Sequence, residues 1–252
     1  MVFPVPDIYE RSWPIPGAKG AVAIVHGLGE HSGRYEHVAA ALNAAGYSAY
    51  AMDVRGHGRS VGFPHDMGED ATQLITDVVE FCVGVRESYD KVFLLAHSMG
   101  TLLSMPAVPR VPTGTLAGLI LSGTATEPGP AGGDLFTKGA VPLDSLSRDP
   151  AVQQAYADDP LVWDTVPQEV LGRAMEIGAL VQEAIPLIEI PVLIIHGVDD
   201  PLASISGANA VYAELIITDK TVIGYDGLRH EILNEPEKDK VLADVIAWLD
   251  KH

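Results

Sequence analysis

The chain has 252 residues, of which 34 are acidic and 16 are basic, so its formal net charge at pH 7 is −18. Because this surplus repels phosphate backbones and anionic lipid headgroups, we expect no nucleic acid partner. Hydrophobic residues make up 47% of the chain and charged residues only 20%, which excludes a disordered acidic segment and allows one large domain with a sizeable core.

The predicted strands are short apolar runs that are nearly continuous instead of alternating. This pattern is typical of strands buried on both faces, as in a parallel sheet with helices on each side. The runs lie at residues 21–25, 92–96, 116–121 and 192–195, and residues 222–225 read as a last strand. They predict one central, mostly parallel sheet.

Between these runs, apolar residues recur at three- and four-residue steps, which is the period of an amphipathic helix. Such segments cover residues 38–45, 74–85 and 241–249. Strand and helix patterns therefore alternate along the chain, and this alternation predicts the α/β class.

The alternation breaks between about residues 124 and 186, where we predict an insertion. Proline and glycine cluster at residues 127–133, and helix-like stretches follow without a clear buried strand. One helical face there is apolar, and it comprises Ile177, Leu180, Val181, Ala184 and Ile185. This helix either packs on the core or forms a lid whose apolar side faces a lipid-like substrate or an interface.

The segment from residue 92 to 103 predicts a nucleophile elbow around Ser98. A buried strand pattern runs into small residues and then into a helical pattern. A serine on a tight strand-to-helix turn needs minimal side chains two positions before and after it, because neighbouring backbone approaches closely there. Gly100 meets this need, and Ala96 exceeds it by one methyl group.

A serine hydroxyl needs a base to activate it, and the base needs a carboxylate to orient it. Asp199 and Asp200 follow the predicted strand at 192–195, and His230 lies in a loop after the last strand. The order serine, aspartate, histidine is the one expected for a nucleophile elbow of this kind. The spacing leaves either aspartate possible.

Two backbone N–H groups are expected to stabilise the oxyanion that forms when the serine attacks. Met99, directly after Ser98, provides the first. The strand at 21–25 leads into a glycine-flanked turn in which the N–H of Leu28 provides the second. A phosphate-binding loop is excluded there, since the turn lacks a Gly-Lys-Ser/Thr ending and the spacing of a dinucleotide-binding loop.

Neither the nine histidines nor Cys82 predicts a metal or a disulfide. No HExxH motif or paired Cys/His spacing occurs, and Cys82, as the only cysteine, lies on the apolar face of a helix pattern. The N-terminus has neither a basic start nor an apolar stretch, and no apolar run reaches the roughly 18 residues of a membrane span. We therefore expect a soluble, cytoplasmic protein that is at most peripheral at membranes.

Taken together, the motifs resemble the monoacylglycerol lipase and lysophospholipase branch of the α/β-hydrolase superfamily, and its bacterial members most. The residues that carry the resemblance are HGLGEHSGRY at 26–35, DVRGHGRS at 53–60, AHSMG at 96–100, HGVDD at 196–200, and His230 followed by NEPE at 234–237. The resemblance covers nearly the whole chain except the insertion. It implies the α/β-hydrolase fold, with a core at residues 1–124 and 187–252 and a cap at residues 125–186.

The resemblance also implies the roles of the site residues. Ser98 would be the nucleophile and His230 the general base, and the family pattern selects Asp200 over Asp199. The oxyanion donors would be the N–H groups of Leu28 and Met99. No cofactor or metal is expected, and the substrate would be a small-molecule carboxylic ester, most simply a monoacylglycerol.

Three further expectations concern the cap and the alternatives. The negative surface means that transient contact with a lipid interface should come from apolar cap surface, such as the face around Leu180 and Ile185. Because the cap sequence is unlike the caps of the family, a carboxylesterase for small or aromatic monoesters is an alternative. A catalytically silent binding protein with this fold is the alternative from another class.

Overall fold

The computed structural model describes residues 7–133 and 141–252. Its strands are β1 Glu10–Trp13, β2 Gly20–Val25, β3 Tyr47–Met52, β4 Val92–His97, β5 Gly118–Ser122, β6 Val192–Gly197 and β7 Lys220–Tyr225. Its α-helices are α1 Glu36–Ala44, α2 Ala71–Arg86, α3 Met99–Ala107, α4 Leu143–Leu146, α5 Pro150–Ala157, α6 Glu169–Ala184, α7 Ile205–Glu214 and α8 Lys238–Leu249. None of the helices in these two described stretches combines the length and the apolar composition that crossing a bilayer requires.

The seven strands form one sheet in the order β1-β3-β2-β4-β5-β6-β7, in which only β1 runs antiparallel to its neighbour. Every residue of β2, β4, β5 and β6 is buried, which explains their continuous apolar runs. The α/β class and the mostly parallel sheet predicted from the sequence are confirmed. The strand predicted at 116–121 begins two residues later and ends one residue later, because its pairing with β4 starts at Gly118.

Two strands had no clear signal in the sequence. β1 is a short edge strand whose residues are mainly half-buried. β3 is buried throughout, but it is rich in tyrosine and contains Ser48, whose buried hydroxyl accepts a hydrogen bond from the N–H of Ile15 at 3.0 Å. Its pattern is therefore less apolar than that of the other inner strands.

Helices cover both faces of the sheet. One face packs against α2, α3, α6 and α7, and the other packs against α1 and α8. The predicted C-terminal helix lies on the second face, where Val241 and Val245 share a cluster with Ile232 and Leu233, directly after His230. The helix therefore packs against the segment that follows His230.

The inserted segment adds helices and no strand in the part of residues 123–191 that the structure describes. Its long helix, α6, packs against α3, and Ile177 and Val181 on the predicted apolar face are each 1% exposed. Ile185 is fully buried and Leu180 half-buried in the same core cluster. The prediction that the face around Leu180 and Ile185 meets lipid is therefore wrong, because this face is already covered by protein. Met175 is a large apolar side chain of α6 that the structure shows exposed, at 72%.

Candidate active site

Ser98 lies at the turn between β4 and α3 in a strained conformation, with φ 51° and ψ −120°. A non-glycine residue at positive φ is unfavourable by itself and persists only where its surroundings hold it. Here the Ser98 N–H donates to the carbonyl of Ser122 at 2.9 Å. A side chain at position 100 would overlap the carbonyl oxygen of Val25 and approach that of His26 to 2.7 Å. The predicted elbow is present, and its glycine is sterically required.

A continuous hydrogen-bonded chain joins Ser98, His230 and Asp200. His230 Nε2 lies 2.8 Å from Ser98 Oγ, and His230 Nδ1 lies 2.7 Å from Asp200 Oδ2. The other carboxylate oxygen of Asp200 accepts the backbone N–H groups of Leu202 and Ala203 at 2.8 and 3.0 Å. The two aspartates that the spacing left open are thus distinguished by position.

Asp199 points away from this chain. It is exposed, whereas Asp200 is 6% exposed. Asp199 lines a separate, polar surface hollow together with Arg148 and Arg229. Only Asp200 is close enough to orient His230.

The environment of the pair favours a charged carboxylate beside a basic imidazole. Burial disfavours the charged form of Asp200, but His230 and the hydrogen bonds it receives outweigh this and lower its pKa. Burial also disfavours the imidazolium of His230, but the Asp200 carboxylate outweighs it and raises the pKa of His230 above the ordinary value of 6.5. Such a histidine accepts a proton from a neighbouring hydroxyl more readily than a free imidazole does.

The backbone N–H groups of Leu28 and Met99 donate to no acceptor within residues 7–133 and 141–252. Met99 is the first residue of α3, where the helix dipole favours negative charge. Gly27 lies against the elbow, since a Cβ there would be 3.1 Å from Ser98 Cβ. Leu28 and Met99 line the same cavity as Ser98, and their role as oxyanion donors stays a prediction.

A buried ion cluster connects the Gly27 loop to the His230 loop. Glu30 Oε1 accepts the Gly27 N–H at 2.7 Å and the Tyr35 hydroxyl at 2.8 Å. Arg34 Nη1 contacts Glu30 at 2.9 Å, and the Arg34 guanidinium binds both oxygens of Glu231 at 2.6 and 2.7 Å. Although burial raises the pKa of Glu30, Arg34 and its other partners lower it to about 2.

A second histidine, His196, contacts the Asp200 carboxylate, and the sequence analysis did not predict this contact. His196 is fully buried, and its Nδ1 accepts the N–H of Thr124 at 3.2 Å. In the neutral ring Nε2 is then the donor nitrogen. Nε2 lies 3.3 Å from Asp200 Oδ2 and 3.1 Å from the carbonyl oxygen of Ala203. The available signal was the repeated dipeptide His-Gly, which follows β2 as His26-Gly27 and ends β6 as His196-Gly197.

Two further histidines near the site, His97 and His57, are neutral packing groups. Burial and then the proximity of His230 lower the pKa of His97 to about 4. Burial also places the pKa of His57 well below 6.5, and its ring stacks on Trp163 of the insertion at 4.1 Å between centroids. Within the described part of the chain, no three His, Cys, Asp or Glu side chains form a group that could hold a metal ion.

A cavity of about 320 Å³ opens at Ser98 and is mainly apolar. The loop after β2 contributes Leu28, and α3 contributes Met99 and Leu102. The inserted segment contributes Tyr156, Val170, Ala174, Ile177, Gly178 and Val181. Glu30 and Glu231 lie at its wall, whereas Arg34 and Tyr35 do not. The size falls at the lower end of the range for small-molecule sites.

Comparison with known proteins places this arrangement in a family. A profile of the serine aminopeptidase S33 family matches residues 16–237. The monoacylglycerol lipase of Mycolicibacterium smegmatis is 30% identical over 263 residues, which cover 97% of this chain and 93% of that protein.

Two solved structures support the same grouping. The monoacylglycerol lipase of Paleococcus ferrophilus is 28% identical, with a TM-score of 0.81 over 96% of this chain and 98% of its own. A carboxyl esterase from Bacillus coagulans, solved with glycerol, is 25% identical, with a TM-score of 0.79 over 98% and 99% of the two chains. The chain has the α/β-hydrolase fold and belongs to the serine aminopeptidase S33 family, in the branch that contains the monoacylglycerol lipases.

Proposed function

We propose that this protein is a serine hydrolase that cleaves carboxylic esters of the lipid type through an acyl-serine intermediate. The preferred substrates are monoacylglycerols. The observation that carries the proposal is the hydrogen-bonded chain Ser98–His230–Asp200 at the mouth of an apolar cavity. The relatives named monoacylglycerol lipase support the substrate class.

In the first half-reaction, Ser98 Oγ attacks the ester carbonyl carbon while His230 Nε2 takes the hydroxyl proton. Asp200 holds the imidazole by its Nδ1–H and stabilises the imidazolium that forms. The negative charge on the former carbonyl oxygen is met by the N–H groups of Leu28 and Met99. Collapse of the tetrahedral intermediate breaks the bond to the alcohol, which leaves with the proton from His230.

In the second half-reaction, water takes the place of the alcohol. His230 removes a proton from the water, whose oxygen attacks the acyl carbon bound to Ser98. Collapse returns the proton to Ser98 Oγ and releases the carboxylic acid. The same two N–H groups stabilise the oxyanion in both halves.

The cavity supports an acyl chain as the part of the substrate that is bound. Its apolar wall can bury hydrocarbon, and the buried carboxylates Glu30 and Glu231 disfavour an anionic headgroup beside Ser98. A neutral ester with one acyl chain fits these conditions. The net charge of −18 acts in the same direction at longer range.

We propose that residues 125–186 form the cap over this cavity. Tyr156, Val170, Ile177 and Val181 come from this segment and line the cavity together with Ser98. Transient contact of the cap with a lipid interface also stays a proposal, for which exposed Met175 is the best-placed side chain. A cytoplasmic location stays a prediction from the sequence.

The second candidate is a carboxylesterase for small or aromatic monoesters, favoured by the modest volume of the cavity and by the similarity to the Bacillus coagulans esterase. A series of p-nitrophenyl esters of increasing acyl length separates the two candidates. Preference for medium or long chains supports the lipase, and preference for acetate or butyrate supports the esterase.

The test of the main proposal combines labelling with substrate selectivity. A fluorophosphonate probe should label the wild type and the Ser88→Ala variant, which changes an exposed serine, but not the Ser98→Ala variant. Turnover of monoacylglycerols should exceed that of di- and triacylglycerols under the same conditions. Labelling or ester turnover that survives Ser98→Ala refutes the proposed nucleophile.

A further inference from the structure

His26 follows β2 directly, and its fully buried ring has both nitrogens engaged. Nε2 lies 2.9 Å from the backbone nitrogen of Val54, and Nδ1 lies 2.7 Å from the carbonyl oxygen of Gly27. Because the Val54 N–H can only donate, Nε2 is the accepting nitrogen. A neutral imidazole has one proton, which is then on Nδ1 and is donated to Gly27.

The neutral form agrees with the surroundings of the ring. Burial lowers the pKa of His26, although Glu30 and Asp53 oppose this. The tautomer follows from the two contacts and not from the pKa alone.

The Gly27 carbonyl belongs to the same peptide unit as the Leu28 N–H. This unit is planar and trans, so its C=O and N–H groups point in opposite directions. A carbonyl held against the His26 ring therefore turns the N–H of Leu28 to the other side. Gly27 and Leu28 line the cavity and His26 does not, so that other side is the side of Ser98.

The peptide needs such a restraint because Gly27 has no side chain to limit its rotation. Its own N–H is fixed by Glu30 at 2.7 Å, but this contact restrains the preceding peptide unit. With the His26 bond removed, the unit between Gly27 and Leu28 is free to turn, and a carbonyl facing Ser98 would repel an oxyanion.

We infer that His26 is a positioning residue that orients the Gly27–Leu28 peptide, so that the Leu28 N–H faces the oxyanion formed when Ser98 attacks an ester. The inference rests on the proposed function, since it assigns the donor a task in that reaction. His26 touches neither the substrate nor the reacting atoms.

Two substitutions separate this role from simple support of the fold. In His26→Asn, the side-chain amide nitrogen occupies the place of Nδ1 and can still donate to the Gly27 carbonyl. In His26→Gln, the side-chain oxygen can occupy the place of Nε2 and still accept from Val54, but the Gly27 contact is lost. His252→Gln, at the far C-terminus, is the matched control.

With a p-nitrophenyl ester, we expect His26→Gln to lower kcat roughly 10- to 100-fold with little change in KM, since losing one oxyanion donor outright lowers kcat about 10²- to 10³-fold. His26→Asn should turn over at least about tenfold faster than His26→Gln. Binding of butylboronic acid, which forms a tetrahedral adduct with the serine, should weaken in parallel with kcat. His252→Gln should match the wild type.

The outcomes distinguish this inference from the proposed function. If the wild type hydrolyses no ester and Ser98 takes no phosphonate, the proposed function fails. If the wild type is active and folded His26→Gln keeps its kcat and its affinity for the boronic acid, only the role of His26 is overturned. If neither variant folds, proton–nitrogen correlation NMR of histidine-labelled wild type decides: Nδ1–H supports the inference, and Nε2–H or a doubly protonated ring overturns it.

Discussion

Arg34 is the cation on which two buried carboxylates depend, and its removal is the sharpest test of how the site is held together. The Glu30 and Glu231 side chains are each 4% exposed, and Arg34 is 10% exposed. Arg34→Met keeps most of the apolar stem but leaves both carboxylates without their counter-ion. Breaking a buried pair in this way costs about 3–5 kcal/mol.

The lowered pKa of Glu30 reflects the same interaction with Arg34. Its folded value of about 2 against an ordinary 4.5 corresponds to about 3 kcal/mol of stabilisation of the folded state. Since the folded pKa is the lower one, this stabilisation is complete above about pH 4.5 and is lost as the pH falls towards 2. Arg34 provides the largest share of it, so Arg34→Met should forfeit most of it.

Urea unfolding followed by circular dichroism measures the loss. We expect Arg34→Met to lower the free energy of unfolding by about 3 kcal/mol or more at pH 7, and we expect the gap to the wild type to narrow below pH 4.5. Adding Glu231→Gln should recover part of it. Arg11→Met, which breaks an exposed pair with Glu36 at 3.3 Å, should cost at most about 1 kcal/mol. A loss at Arg34 no larger than the loss at Arg11 would refute the reasoning.

Three further predictions test the cavity, the base and the elbow. Gly178→Leu places a side chain in the cavity. It should lower the ratio of kcat/KM for long acyl esters to kcat/KM for butyrate about tenfold or more. Gly172→Leu, exposed on the same helix, should not change this ratio. Because the pKa of His230 is raised, kcat/KM should fall with decreasing pH at a midpoint above 6.5, and a midpoint at or below 6.5 contradicts the assigned interaction with Asp200. Gly100→Ala, whose methyl group would overlap backbone carbonyl oxygens, should cost at least about 1–3 kcal/mol in urea unfolding, while Gly172→Ala, in open space, should stabilise by up to about 1 kcal/mol.

Local signals in the sequence were sufficient for the elbow. The strand, the serine, the glycine and the following helix are contiguous from residue 92 to 107, so their geometry depends mainly on short-range sterics. The continuous apolar runs also predicted the sheet correctly, because a strand buried on both faces leaves no polar alternation. The less apolar β3 escaped detection, since its burial depends on neighbours that are distant in the sequence.

Contacts between distant segments decided the rest of the site. Asp199 and Asp200 are equivalent in spacing, and although the family resemblance favours Asp200, the physical difference between them is the contact with His230, 30 residues later. The sequence predicts the apolar face of α6. Only the packing of α6 against α3 shows that Ile185 is covered by protein instead of exposed to lipid. The sequence alone thus determined which groups the chain carries and the order of its strands and helices, because these follow from local propensity and periodicity. The folded arrangement determined which carboxylate faces the histidine and which way the Gly27–Leu28 peptide turns, because hydrogen bonds and burial form between residues that sequence spacing does not relate.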